Sequence, residues 1–236
     1  MGQPLDIAQI SVIIPTLNEA GNIKAAIAST QKSANIEIIV VDGGSSDDTV
    51  EIAQSLEVKV ISSSPGRAVQ MNAGAAVASG EILLFLHADT RLGVGFDIQI
   101  RQVLSLPGIV AGAFDLQIDA SPFVFRLVEW GVKWRSRFFQ MPYGDQAIFL
   151  TKKIFQEISG FPELPIMEDF ELIRRLHSQG RIVIINTPVT TSARRWLQKG
   201  VFKTTLLNQI IIIAYLLGVS PNRIRSWYRQ EKFRRI

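Results

Sequence analysis

The 236-residue chain contains no cysteine, which excludes a disulfide framework, a thiolate nucleophile and a zinc–thiolate site. That fits a reducing compartment. The first residues, Met1-Gly2-Gln3-Pro4-Leu5-Asp6, lack the basic and then apolar stretches of a signal peptide, so a cytoplasmic location is expected. The longest apolar stretch, residues 206–219, contains two amides, Asn208 and Gln209. It falls short of the roughly 20 residues needed to span a bilayer. Two nucleotide-binding signatures are missing as well. After the first apolar run the chain reads Pro15-Thr16-Leu17-Asn18-Glu19-Ala20-Gly21, which has one glycine where a dinucleotide fold needs G-x-G-x-x-G, and no G-x-x-x-x-G-K-[ST] loop occurs.

Forty-seven per cent of the residues are apolar, enough for one large core and better suited to one α/β domain than to two. The net charge is +4, but it is unevenly distributed. Residues 194–236 hold three Lys, seven Arg and a single acid, Glu231, so the remainder of the chain is net acidic. Such a surplus suits an anionic partner, membrane headgroups or nucleic acid.

Strand and helix patterns alternate. Short β-branched or apolar runs at 10–14, 36–41, 58–61 and 82–86 are separated by helical patterns at 18–33, 45–56 and 67–78. This is the signature of βαβ units and a mostly parallel open sheet with helices on both faces. Thr16 and Glu19 have capping-box spacing at the start of the first helix, and Asp47 and Asp48 fall in the first turn of the second. Further on the pattern predicts helices at 93–106, 123–139 and 168–179, extended segments at 109–118 and 146–150, and two short strands at 181–185 and 189–193.

In such a sheet, ligands bind beyond the carboxyl ends of the strands. Four strand ends carry Pro15-Thr16-Leu17-Asn18-Glu19, Asp42-Gly43-Gly44-Ser45-Ser46-Asp47, Ser62-Ser63-Ser64-Pro65-Gly66-Arg67 and His87-Ala88-Asp89. Acids, amides, hydroxyls and an arginine therefore share one rim. Because acids stand where other folds cradle phosphate with backbone amides, a metal is needed to screen a bound phosphate. Hard divalent cations such as Mn²⁺ or Mg²⁺ take oxygen ligands of this kind.

The blocks 13–19, 40–49 and 86–89 resemble the signature blocks of family-2 inverting glycosyltransferases of the GT-A fold, in the right order and at the right strand ends. With later motifs the resemblance covers about residues 10–196. It implies that Pro15, Thr16, Asn18, Glu19 and Asp42 hold the nucleoside of a nucleoside-diphosphate sugar, and that Arg67, in a block resembling the family's next, meets a phosphate at a helix N-terminus. The family's metal motif is D-x-D; here it is His87-Ala88-Asp89, so Asp89 alone remains as ligand and His87 is a neutral donor to ribose or phosphate. In the family an inverting base stands in a Glu-Asp pair opening a helix. Pro165-Ile166-Met167-Glu168-Asp169 matches it, which implies Asp169 as the base. Asp145, in a Gly144-Asp145-Gln146 block resembling the acceptor side, is second. Arg195 and Trp196 resemble part of the Gln-x-x-Arg-Trp block of processive members, with Ser192 at the Gln position; the pair is expected to pin the diphosphate and cover the acceptor pocket, and the transfer to be of a single sugar.

The expected organisation is a GT-A catalytic domain over 1–196 and a basic, apolar helical extension over 197–236, packed on the domain or lying at a membrane surface. The aromatic helix at 123–139 and this extension point to a lipid or other apolar hydroxyl acceptor, with peripheral association on the inner face of the cell membrane and no nucleic-acid partner. Trp227-Tyr228 among arginines points the same way. The rival readings are a nucleotidyltransferase and a non-catalytic, membrane-associated nucleotide-sugar-binding protein.

Overall fold

The computed structural model describes residues 7–31 and 33–233, with side chains to Trp227. Residues 1–6, on which the absence of a signal peptide was read, lie outside it, as does the Tyr228 side chain.

Eight strands form one sheet among the described residues: β1 (Ile10–Thr16), β2 (Ile36–Asp42), β3 (Lys59–Ser62), β4 (Ile82–Phe85), β5 (Thr90–Arg91), β6 (Ile109–Asp119), β7 (Phe149–Thr151) and β8 (Arg181–Ser192). Their order is β3-β2-β1-β4-β7-β6-β8-β5. The β3-β2-β1-β4 half is parallel throughout. β7 then runs antiparallel to both β4 and β6, while β6 and β8 are parallel.

Alternation along the strands assigns the two faces. Ile10, Val12 and Ile14 of β1 join one core cluster with α1 (Ile23–Thr30), α2 (Thr49–Ser55), α4 (Phe96–Leu104) and Phe125 of α5 (Phe123–Phe139). Ile13 faces the other cluster, with α3 (Arg67–Val77), α6 (Lys152–Glu157) and α7 (Glu168–His177). Gly74 of α3 permits the close approach there, because a Cβ would stand 2.5 Å from Ile13 Cγ2 and 3.0 Å from Val41 Cγ2. The fold is thus the open α/β sheet with helices on both faces that the pattern implied. The chain ends in α8 (Arg194–Lys199), α9 (Val201–Leu216) and α10 (Pro221–Phe233); residue 196, the expected domain boundary, falls inside α8.

Three local expectations are corrected. The capping box does not form: α1 begins at Ile23, five residues beyond the expected start, because the Thr16 hydroxyl faces Val41 O and Asp42 Oδ1 while the Glu19 amide donates to Thr49 Oγ1 at 2.8 Å. α2 begins at Thr49, with Asp48 as its cap residue and Asp47 before it. The two strands expected at 181–193 are one, β8, whose partner register jumps from Ile185 to Pro188 opposite Phe114 and Asp115. The bulge accommodates Pro188, which has no N–H for the ladder, and it broke the sequence pattern without ending the strand.

Candidate functional site

The loop after β1 and the loop after β2 are stapled side chain to backbone. Asn18, held at φ 56°, accepts the Ser46 amide at 2.8 Å, and its own amide donates to Ser45 Oγ at 2.8 Å. Asp47 accepts the Ala20 amide at 3.2 Å and bonds Thr49. Asp42 gathers its own turn: the Gly44 and Ser45 amides at 2.8 and 2.9 Å and the Ser45 hydroxyl at 2.5 Å. Burial alone would raise the Asp42 carboxyl, but these donors and the Thr16 hydroxyl outweigh it and hold the group below its ordinary range.

Beneath this rim lies Gln70, which the sequence reading missed. Its amide donates to Thr16 O at 2.7 Å and Val41 O at 2.8 Å, tying together the ends of β1 and β2. A glutamine buried on the sheet-facing side of a helix was the signal that would have found it.

Three further segments converge beyond β4. His87 and Asp89 leave β4 directly; Asp89 is fixed by the Ser192 amide, which donates to its carbonyl at 3.0 Å, and by the β5–β8 pairing that follows. Gly144 and Asp145 lie in a short 3₁₀ turn ending in Gln146, and Glu168 and Asp169 open α7. The Gly144 amide donates to Asp169 Oδ2 at 2.8 Å, and a Cβ at Gly144 would stand 2.9 Å from His87 Nε2. Glycine is therefore the residue that lets the imidazole and the carboxylate both pack against this turn. Met167, at φ 73°, aims the helix start.

Five acids and Arg67 share this field. Burial and the Glu19 charge raise the Asp89 carboxyl, against Arg67 and Arg194. Burial raises Asp145 too, with Asp169 and Asp89 adding to the effect and Arg135 opposing it, and Asp145 Oδ1 is buried without a hydrogen-bond partner. Burial beside Asp169 pushes Glu168 up to about 7. Burial, with the Arg67 charge nearby, pushes His87 down to about 3, so the imidazole is neutral. Arg67 opens α3, where the helix dipole also favours an anion.

Among the described residues no three acids or histidines converge as a ready ligand set. The site nevertheless fits a divalent cation, because its crowded acids and the orphaned buried Asp145 oxygen favour added positive charge.

Arg194 binds Glu19 at 2.9 and 3.1 Å. Arg195 bonds Asn208 of α9 at 3.1 Å and is close enough to Asp145 to lower it. Trp196 is part of the main core, with its Nε1 buried and unpartnered. Arg135 was also missed; its guanidinium lies 3.4 Å over the Tyr143 ring and donates to Gln146 Oε1.

The structure is an open sheet of the GT-A type with acids from several segments beyond its strand ends. Residues 11–100 match the model of Glycosyl transferase family 2. Glycosyltransferase AglE of Haloferax volcanii is 38% identical over 91 residues, 34% of this chain and 30% of that protein. The PGL/p-HBAD biosynthesis glycosyltransferase of Mycobacterium tuberculosis is 40% identical over 91 residues, 35% of this chain and 36% of that protein. The matches thus span about a third of these relatives' lengths. Among solved structures, Staphylococcus aureus TarS 1–349 superposes with a TM-score of 0.63 at 18% identity, covering 78% of this chain and 60% of that one. Glucosyl-3-phosphoglycerate synthase of Mycobacterium tuberculosis, in complex with Mn²⁺, UDP and phosphoglyceric acid, gives 0.58 at 21% identity, covering 77% and 69%. At these identities the likeness establishes the fold.

Proposed function

We propose that the protein transfers a single sugar from a nucleoside-diphosphate donor to a hydroxyl acceptor with inversion, using Mn²⁺ or Mg²⁺. The observation that carries this reading is the meeting of Asp89, Asp145 and Asp169 beside Arg67 at the strand ends. Structural neighbours support it: TarS has been solved with UDP-GlcNAc and a Pyrobaculum calidifontis mannosyltransferase with GDP-Man and Mn²⁺.

Residues 1–196 are the catalytic unit in this reading, and 197–236 an extension. The stapled loops of Pro15, Thr16, Asn18, Glu19 and Asp42 form the nucleoside seat. Asp89 would hold the metal, which when bound would supply positive charge against the leaving diphosphate. Arg67 and Arg195 add positive charge on that side, and neutral His87 donates to phosphate or ribose. Trp196 backs the acceptor side from the core. Asp169 accepts the acceptor's hydroxyl proton, its carboxylate oriented by the Gly144 amide, as the hydroxyl oxygen attacks the anomeric carbon from the face opposite the leaving diphosphate. Asp145 is the second candidate for that proton.

The acceptor is a lipid or other apolar hydroxyl compound met at the cytoplasmic face of the membrane. This is supported by α5, whose Phe123, Leu127, Trp130, Trp134, Phe138 and Phe139 are exposed, rather than belonging to the core. Donor hydrolysis and transfer, assayed with and without Mn²⁺, test the reaction. Metal-dependent turnover to a product of inverted anomeric configuration is expected. Nucleotide binding with no turnover on any hydroxyl acceptor would instead indicate a binding protein.

A further inference from the structure

No helix among the described residues is long and apolar enough to cross a membrane, yet two adjoining helices leave long apolar stripes in solvent. On α5, Phe123, Leu127, Trp130, Trp134 and Phe138 recur at the three- and four-residue spacing of one helical face, and all are more than half exposed. Their rings support one another: Trp134 and Phe138 stack at 5.3 Å, and Trp130 and Trp134 lie 6.4 Å apart. On α9, which touches α5, Phe202, Leu206, Ile210, Ile213 and Leu217 at its end recur in the same way and are exposed. Soluble monomers rarely expose contiguous apolar patches beyond a few hundred Å².

The charges near these stripes are one-sided. α9 contains no acid, and the one acid of α5, Glu129, is turned inward, accepting the Ile118 amide at 2.6 Å and pairing with Arg126 at 3.0 Å. Lys133 and Arg137 of α5 are exposed along their stems while their charges pair with the buried Asp115 at 3.3 and 2.9 Å, and Lys199 and Lys203 flank the start of α9. Indole and phenyl rings beside lysine and arginine, with no outward carboxylate, match the chemistry of a membrane–water interface and not that of a solvated helix.

The inner face of α9 has a different task. Ile211 and Ala214 pack with Met167 and Phe170 in a cluster, Tyr215 lies edge-on to Phe170 at 5.7 Å, and Tyr215 Oη donates to Glu171 at 2.7 Å. Met167, Phe170 and Glu171 are the residues around the Glu168-Asp169 pair. The same helix therefore shows lipid-like chemistry outward and seats the start of α7 inward. In the same cluster, Trp227 packs inward with Ile224 and the Arg223 guanidinium lies 6.0 Å over its ring, so the interfacial stripe is carried by α5 and α9 and not by Trp227.

We propose that α5 and α9 together form a platform that inserts its apolar stripes into the interface of an anionic bilayer, lying in the membrane plane, so that the Asp169 end of the site faces the lipid surface. The inference names the surface behind the membrane location proposed above; vesicle binding needs no donor or metal, so its failure is separable from failure of the glycosyltransferase reading.

The test uses the full chain with vesicles of neutral phosphatidylcholine or of phosphatidylcholine with phosphatidylglycerol, at low and high salt. Flotation with the anionic vesicles at low salt is expected, together with a blue shift of tryptophan emission and its quenching by brominated acyl chains. The double variant Trp130→Ser/Trp134→Ser, and separately Phe202→Ser/Leu206→Ser, should each weaken vesicle affinity at least ~10-fold. All four side chains are exposed, so the melting temperature should hold. No flotation at low salt overturns the platform. So does flotation that both variants retain, or flotation without quenching, which would mean headgroup electrostatics alone. A concentration-dependent dimer that the same variants abolish, with no vesicle binding, would show that a second copy covers these stripes.

Discussion

The Gly144 amide donates to the Asp169 carboxylate at 2.8 Å, across twenty-five residues of sequence. One backbone group thereby orients the side chain that we assign as base. Asp169→Asn keeps the shape and removes the basicity, so transfer should fall at least ~10²-fold, the scale of one general base, while donor affinity by calorimetry stays near that of the wild type. If Asp169→Asn transfers normally and Asp145→Asn is dead, the base is Asp145.

The same contact makes Gly144 intolerant of a side chain. A Cβ there would meet His87 Nε2 at 2.9 Å and Asp169 Oδ2 at 3.4 Å. Gly144→Ala should lower kcat through displaced Asp169, with a smaller loss of thermal stability of about 1–3 kcal/mol from overpacking. Paired kinetics and melting curves check it; unchanged kcat would show that the turn yields without moving the carboxylate.

Asp89 is the one acid in its motif, and neutral His87 stands where the family has another. Asp89→Ala should abolish the Mn²⁺-dependent part of nucleoside-diphosphate binding, and His87→Ala should weaken it less. Equal affinity with and without Asp89, titrated in Mn²⁺, would remove the metal assignment.

The strand ends were readable because β1, β2 and β4 are short β-branched or apolar runs with abrupt polar endings, and Asp42 and Asp89 could be placed from those endings, whereas Asp169, in the first turn of α7, was placed only through the resemblance of the Glu168-Asp169 pair. Helix starts were not readable in the same way. Thr16, Asn18, Glu19 and Asp47 carry capping chemistry, yet each has a partner on a neighbouring segment 25 to 30 residues away, as in the Glu19–Thr49 bond. Local sequence cannot distinguish a cap from a long-range staple when the same residue types serve both. Gln70 and Arg135 were invisible for a related reason: each is defined by the carbonyl or ring it meets across the fold. The exposure of Trp130 and Trp134 was hidden because a stripe at helical spacing looks alike whether it faces a core or a membrane.

The last prediction concerns pH and stability. Glu168 is buried in the start of α7 with Asp169 beside it, and its carboxyl is pushed up to about 7 from an ordinary value of 4.5. The folded state therefore holds this proton more tightly than the unfolded chain, so Glu168 favours folding below its unfolded value and that contribution is lost as pH rises through the folded value. Between about pH 4.5 and 7 the folded chain binds more protons than the unfolded one, and stability should fall across that window. Asp89 and Asp145, also raised, act in the same direction. Glu168→Gln, neutral at every pH, should flatten the slope and raise the melting temperature by several degrees at pH 8, on the scale of about 2–4 °C per kcal/mol for a chain of this size. Melting curves of the wild type and Glu168→Gln from pH 5 to 8 check it. A wild-type slope that survives the substitution unchanged would mean that Glu168 is not the group whose proton the fold retains.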